Sequence, residues 1–148
     1  MGFSQKSFAE LTTTELFRIY QLRVAVFVVE QDCVYQEVDD DDLIAQHLFR
    51  TDDAGQVLAY ARLIPEPNQV RIGRVLVAAS ERKHGAGREL VTEAIAAAKE
   101  TYPQAQQIVI QAQAYLQKFY ASFGFTPTSE VYLETGIPHL DMVLPLNR

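Results

Sequence analysis

The chain holds a single cysteine, Cys33, so no disulfide can close within it. A lone thiol fits a reducing compartment and excludes the disulfide-stapled secreted scaffolds. No apolar run approaches the ~20 residues that a membrane-spanning helix needs. Met1 to Glu10 are too polar for the apolar core of a secretory signal. Gly2 follows Met1, but Lys6 stands where a myristoylation pattern requires Ser or Thr. Together these absences point to a cytoplasmic protein. Positive charge is also scarce: 13 Lys and Arg against 19 Asp and Glu leave a net charge of −6. A chain of that sign is expected to bind neither nucleic acid nor an anionic membrane.

What is present suits one ordinary domain over residues 1–148. With 48% hydrophobic residues there is enough apolar material for a core that needs no metal or disulfide. Thr12-x-x-Glu15 before an apolar stretch is a capping-box signature, and Leu16, Phe17, Tyr20, Val24 and Phe27 recur at helical spacing. This predicts a helix over Thr13–Val29. The polar stretch Glu30–Leu43, with aspartates at positions 39 to 42, reads as a loop with a short helical turn. Ala45–Thr51 and Gln56–Ile64 read as a hairpin, followed by a turn over Pro65–Asn68. Val70–Val77 is a third strand with a defect. Val70 and Ile72 share one parity and Val75 and Val77 the other, so a β-bulge is expected at Gly73 and Arg74.

Gly87–Thr101 is predicted as a helix with Leu90, Val91, Ala94, Ile95 and Ala98 inward, stopped before Pro103. Gln107–Gln113 reads as a strand buried on both faces, because Ile108–Ile110 is apolar throughout. Leu116–Phe123 is a short helix closed by Gly124, and strands near Glu130–Glu134 and His139–Leu144 end the chain. The fold class is therefore α+β, in mixed α/β layers.

The segment with the most chemistry is Val75-Leu76-Val77, then Arg82-Lys83-His84-Gly85-Ala86-Gly87-Arg88 opening a helix. Its glycines permit positive φ and close approach of a ligand to the backbone. Its amides gather at the positive end of a helix dipole, which favours an anion such as a pyrophosphate. A tight strand-to-helix turn without a ligand would use the same glycines. A Walker loop is excluded because Arg88 and Glu89 follow Gly87 in place of Lys and Ser or Thr. A Rossmann fingerprint fails for want of a third glycine.

On these residues the sequence resembles the GNAT superfamily of N-acetyltransferases. Arg82-x-x-Gly85-x-Gly87 after Val-Leu-Val resembles that family's coenzyme A pyrophosphate loop. Phe119-Tyr120-Ala121-Ser122-Phe123-Gly124-Phe125 resembles its Phe-Tyr-x-x-x-Gly-Phe segment. Phe27-Val28-Val29-Glu30-Gln31 and Gly136-Ile137-Pro138-His139 are similar to the ElaA-like subgroup. The resemblance implies a central, mostly antiparallel twisted sheet in which a bulge splays one parallel strand pair. It implies acetyl-CoA as donor, with pantetheine held by the backbone of Val75, Leu76 and Val77. The pyrophosphate falls to Arg82, Lys83, His84, Gly85, Ala86, Gly87 and Arg88. Gln113 stands where the family often has Asn facing pantetheine. Tyr120 matches the tyrosine that protonates the departing thiolate; a phenol (pKa ~10) is still protonated when a thiol (~8.5) is leaving.

The acceptor is poorly marked beyond a small-molecule or peptide amine. His139, Glu130, Glu37, Asp39 and His47 are candidate general bases, and spacing does not choose among them. The acidic run Glu37–Asp42 reads either as a solvated loop or as an attractor for a cationic amine; it lacks the Gly and distal Glu of a calcium loop, and no metal is expected. Arg62, Arg71 and Arg74 could pair with that run or with an acidic acceptor, but ordinary surface ion pairs are the expected reading. Cys33 reads as a small packed hydrophobe. A coenzyme A-binding sensor without turnover and an acyl-homoserine-lactone synthase of related fold are the rival functions. Edge strands near the carboxyl end would allow a homodimer.

Overall fold

A computed structural model describes residues 2–148. The capping box forms as the sequence predicts: Thr12 Oγ1 accepts from the Glu15 amide at 3.0 Å, and the Thr12 amide donates to Glu15 Oε1 at 2.9 Å. It opens α1 (Thr13–Arg23), which continues into a wider π-type segment, Val24–Glu30. There Gln31 N bonds Val26 O at 3.2 Å and Cys33 N bonds Val28 O at 3.0 Å. The expected helix over Thr13–Val29 therefore exists but changes winding halfway. Four valines crowd that half, where β-branching disfavours the tighter α turn. Such π turns recur at functional sites, and this one carries Val26, Phe27 and Glu30 to the edge of the main cavity.

A four-residue α2 (Asp41–Ile44) supplies the short turn in the acidic loop. The hairpin follows as β2 (Gln46–Thr51) and β3 (Val57–Glu66), then β4 (Gln69–Val77). β3 runs through Pro65 and Glu66, so the turn expected over Pro65–Asn68 shrinks to Pro67 and Asn68, with Asn68 at φ 62°. Proline first and a positive φ second is the pattern of a type II turn. α3 (Ala86–Thr101), β5 (Gln107–Gln113), α4 (Gln117–Ala121), β7 (Tyr132–Glu134) and β8 (Ile137–Pro145) match the remaining expected elements. Two strands were not legible: β1 (Ser4–Ser7), antiparallel to β2, and β6 (Thr126–Pro127), antiparallel to β8. Neither has apolar alternation to betray it.

The strands form one sheet in the order β1-β2-β3-β4-β5-β8-β6, with β7 also on β8. All neighbours are antiparallel except β4 and β5. Leu90, Val91, Ala94 and Ala98 of α3 pack one face against Leu63, Val70, Ile108 and Ile110. A second cluster of Ile19, Val26, Phe49, Tyr60 and Leu76 covers part of the other face under α1. Burying each such large side chain stabilises by ~1.5–3 kcal/mol, so the two clusters fix the sheet between α1 and α3. β5 departs from the sequence expectation. Ile108, Ile110 and Ala112 are buried, but Val109 is only half-buried and Gln111 is exposed. The cause is that α1 lies over β3 and leaves the outer face of β5 open to a cavity. No described helix is long and apolar enough to cross a membrane.

Candidate active site

The bulge opens the site. In the β3–β4 ladder Tyr60 pairs with Leu76 and Arg62 with Gly73, so Arg74 and Val75 oppose Ala61 alone. Arg74 takes φ 51°, the left-handed conformation that lets the extra residue fit. Beyond it the phase shifts as the alternation requires: Val75 and Val77 join the core of Val70 and Ile72, and Leu76 turns to the opposite cluster. On its other side β4 pairs with β5 only through Gln69–Gln107, Val70–Ile108 and Arg71–Val109. The strands then diverge. The edge of residues 73–77 facing β5 is left without a strand partner, and a buried strand edge must find partners elsewhere.

A cavity of about 820 Å³ fills this gap. Val75, Leu76, Val77 and Gln113 line it, with Arg82, Lys83, Gly85, Ala86 and Gly87 at one end and Tyr120 beside them. Lys83 (φ 69°) and Gly85 (φ 78°) are both left-handed, and Gly85 starts α3 with no side-chain cap. The first amides of α3 therefore remain for a ligand, at the positive end of a four-turn dipole. Two of the residues assigned to this loop stand apart. His84 is exposed and outside the cavity wall. The Arg88 side chain turns away, donating to Ser122 Oγ at 2.7 Å and lying 4.6 Å from the Phe123 ring centroid. Arg82 is held by Glu30, at 2.8 and 3.0 Å.

Tyr120 is buried in the α3 face of the sheet, edge-on to Phe119 and Phe125. Its hydroxyl finds no hydrogen-bond partner among the described residues, yet the side chain reaches the cavity. Burial pushes its pKa up to about 12, with a smaller push from Tyr115. It is a phenol kept neutral and unengaged beside the gap.

The acidic run divides: Asp40 and Asp41 are exposed, as a solvated loop requires, while Glu37, Asp39 and Asp42 are bound to arginines. Arg23, wholly buried, grips Glu37 at 2.9 Å and Asp42 at 2.7 and 3.0 Å. Arg62 reaches Asp39 at 2.7 Å and Asp42 at 3.1 Å, and Arg74 of the bulge bonds both the carboxylate and the carbonyl of Glu37. Three arginines thus face three carboxylates. Burial opposes charge on Asp42, but its bonds to Arg23 and the nearby Arg62 hold its pKa below the usual carboxylate range. Asp39 is lowered in the same way through Arg62. The network ties the loop over residues 30–44 to the bulge, so the wall opposite β5 is fixed. Arg71 pairs separately with Glu66 at 2.8 Å.

The candidate bases separate clearly. His47 is fully buried, with Nδ1 on Tyr60 Oη at 2.6 Å and Nε2 on the Asp42 carbonyl at 2.9 Å, and burial lowers its pKa. Glu37 and Asp39 are spent on arginines, and Glu130 lies outside the cavity wall. His139 lines the cavity with Ile137 of the same motif, as do Tyr35 and Thr135, which no sequence motif marked. The parity of β5 against β8 is the signal that would have found this wall. Cys33 packs as a small buried group, its thiol 3.4 Å from the Thr135 carbonyl. No group of three His, Cys, Asp or Glu among the described residues is placed to hold a metal ion.

Comparison with known proteins agrees with this geometry. The model of the acetyltransferase (GNAT) domain matches residues 14–146. A UPF0039 protein of Schizosaccharomyces pombe is 48% identical over 99% of this chain and 98% of its own. ElaA of Escherichia coli is 40% identical over 90% of both chains, and its crystal structure superposes with a TM-score of 0.91 over 97% of this chain and 99% of its own. The crystal structure of an acyl-CoA N-acyltransferase from Pseudomonas aeruginosa, 42% identical, gives the same TM-score, 0.91, over 97% of this chain and 99% of that one. With a splayed parallel pair, a bulged strand and a glycine loop at the head of α3, and with relatives matched along nearly its whole length, the chain belongs to the GNAT acetyltransferase family.

Proposed function

We propose that this chain is an acetyl-CoA-dependent N-acyltransferase that passes the acetyl group directly to a primary amine of a small molecule or peptide within one ternary complex. The observation that carries the reading is the gap between β4 and β5, which joins an uncapped, glycine-led helix start to a neutral tyrosine. In this reading the amides of Gly85, Ala86 and Gly87 with Arg82 and Lys83 take the pyrophosphate, as the helix dipole favours. The free edge of Val75–Val77 and the Gln113 side chain take the amides of the pantetheine arm. The thioester carbonyl then lies at the bulge, where backbone donors polarise it. Tyr120 donates to sulfur as the C–S bond breaks.

Family membership supports acyl transfer in general; the choice of acetyl over longer acyl groups is part of the proposal. So is a cytoplasmic setting, which keeps Cys33 reduced. A sensor that only binds coenzyme A has no use for a buried, unengaged phenol beside the thioester. The test is free-thiol release from acetyl-CoA against polyamines, amino acids and short peptides, with product mass read in parallel. Amine-dependent release with an acetylated product is expected. Tight acetyl-CoA binding without release to any amine would leave the sensor in its place.

A further inference from the structure

The geometry points to His139 as the general base that takes the proton from the attacking amine. The inference rests on the acyl-transfer reading above. It starts from the hydrogen bonds of the ring. Nδ1 lies 2.7 Å from the Ile137 carbonyl, which can only accept, so Nδ1 carries the hydrogen. In the neutral ring Nε2 is then an acceptor, and no described residue donates to it. The ring plane is set as well. His139 pairs across the ladder with Tyr132 and stacks on it at 22° with centroids 6.4 Å apart, and Tyr132 donates to Asp141 at 2.6 Å. A half-buried imidazole with a fixed tautomer, a clamped ring and an unused lone pair lines the cavity.

Strand alternation places it on the correct side. Ala112 and Leu140 are cross-strand partners in the core that holds Tyr120. Gln113 and His139 are the next pair and project to the opposite face. Acid and base thus approach the gap from opposite faces of the sheet. The amine enters on the His139 side and the sulfur departs toward Tyr120. As the C–N bond forms, Nε2 takes one N–H proton; as the C–S bond breaks, the Tyr120 hydroxyl gives its proton to sulfur. The proton on His139 returns through solvent to the Tyr120 phenolate, so the charges and protons balance. Tyr132, bonded to Asp141, packs on the ring, and the titratable and charged groups of the cavity wall on the side of the acidic loop and β8 are Cys33, Tyr35, Asp39, Asp41, Arg62, Arg71, Arg74 and Glu134. Asp39, Arg71 and Arg74 are already ion-paired, which leaves Asp41 and Glu134 as the competing carboxylates.

Two variants separate the roles of the ring nitrogens. His139→Asn can keep a donor for the Ile137 carbonyl, and His139→Gln can keep a polar atom where Nε2 stands; neither is a base. With acetyl-CoA and an alkylamine from the same panel, both variants should lose ~10²–10⁴-fold in kcat/KM. Acetyl-CoA affinity by calorimetry should stay within twofold. Glu134→Gln and Asp41→Asn should keep the wild-type rate. Variants at position 139 that keep the alkylamine rate would overturn the assignment while leaving acyl transfer intact, as would loss of that rate in Glu134→Gln or Asp41→Asn instead. Variants that lose acetyl-CoA binding would make the position structural. A wild type that releases thiol to no amine at all removes the acyl-transfer reading and this inference with it.

Discussion

Removing one oxygen from Tyr120 separates catalysis from stability. The hydroxyl has no protein partner, so Tyr120→Phe deletes no hydrogen bond and opens no cavity larger than that oxygen. Its effect on unfolding free energy should stay within ~0.5 kcal/mol. The effect on turnover is set by what the phenol can give a leaving thiolate. A donor at about 12 and a free thiol near ~8.5 differ by roughly 3.5 units, so full transfer would run uphill by about 5 kcal/mol at ~1.36 kcal/mol per unit. The same burial raises the thiolate's proton affinity and narrows that difference. Tyr120 therefore acts first as a hydrogen-bond donor to developing charge, a contact worth ~1.5–3 kcal/mol. That converts to a loss of ~10–150-fold in kcat, with the Kd for acetyl-CoA unchanged. Stopped-assay turnover, calorimetry and urea unfolding of the same variant read all three quantities. Unchanged kcat would remove Tyr120 from the reaction, and destabilisation beyond ~2 kcal/mol would show that the hydroxyl is structural.

The buried charge network gives two further expectations and the loop a third. Asp42→Ala leaves Arg23 and Arg62 short of a counter-charge in the interior, and should cost ~3–5 kcal/mol in urea unfolding; a cost below ~1 kcal/mol would mean that the network relaxes freely. Burial holds the His47 pKa below its ordinary value, so the unfolded chain binds more protons. Its contribution is complete above ~pH 6.5 and is lost as the pH falls toward the folded value; the contribution of Asp42, whose pKa is also lowered, is complete above ~pH 3.9 and lost below that. Unfolding midpoints should therefore drop between pH 7 and 5 in the wild type, and His47→Gln should flatten that step; an unchanged step would assign it elsewhere. Arg82 is shared with Glu30 in a part-exposed pair. Glu30→Gln should tighten acetyl-CoA binding up to about fivefold by removing an exposed pair worth ~0–1 kcal/mol, and Arg82→Ala should weaken it; equal affinities in all three proteins would take Arg82 out of the pyrophosphate site.

Elements governed by local rules were legible from the sequence, and those governed by partners were not. The capping box at Thr12, the bulge beside Gly73 and the strand Gln107–Gln113 each follow from periodicity or a short motif, and all three are present. β1 was invisible because Ser4–Ser7 pairs with β2 through its backbone and has no apolar face. The π-type winding after Arg23 turns the face in a way that 3.6-residue periodicity does not foresee: Val24, in the helical series, is exposed and Val26 is buried. The acidic run could not be interpreted because its partners, Arg23, Arg62 and Arg74, lie on three different elements. The site divides the same way. The loop from Arg82 to Gly87 is one contiguous motif, whereas the wall around His139 is assembled by the register of β5, β7 and β8.

The central claim is that the gap between β4 and β5 holds an acyl-CoA whose acyl group passes to an amine. Calorimetric titration of the wild-type chain with acetyl-CoA tests it most directly, repeated with Gly85→Val, where a β-branched side chain is forced onto φ 78° at the head of α3. Saturable one-to-one binding that the variant abolishes while remaining folded by circular dichroism is the expected result. A wild type that takes up no heat from acetyl-CoA, or a variant that binds it equally well, would contradict the account.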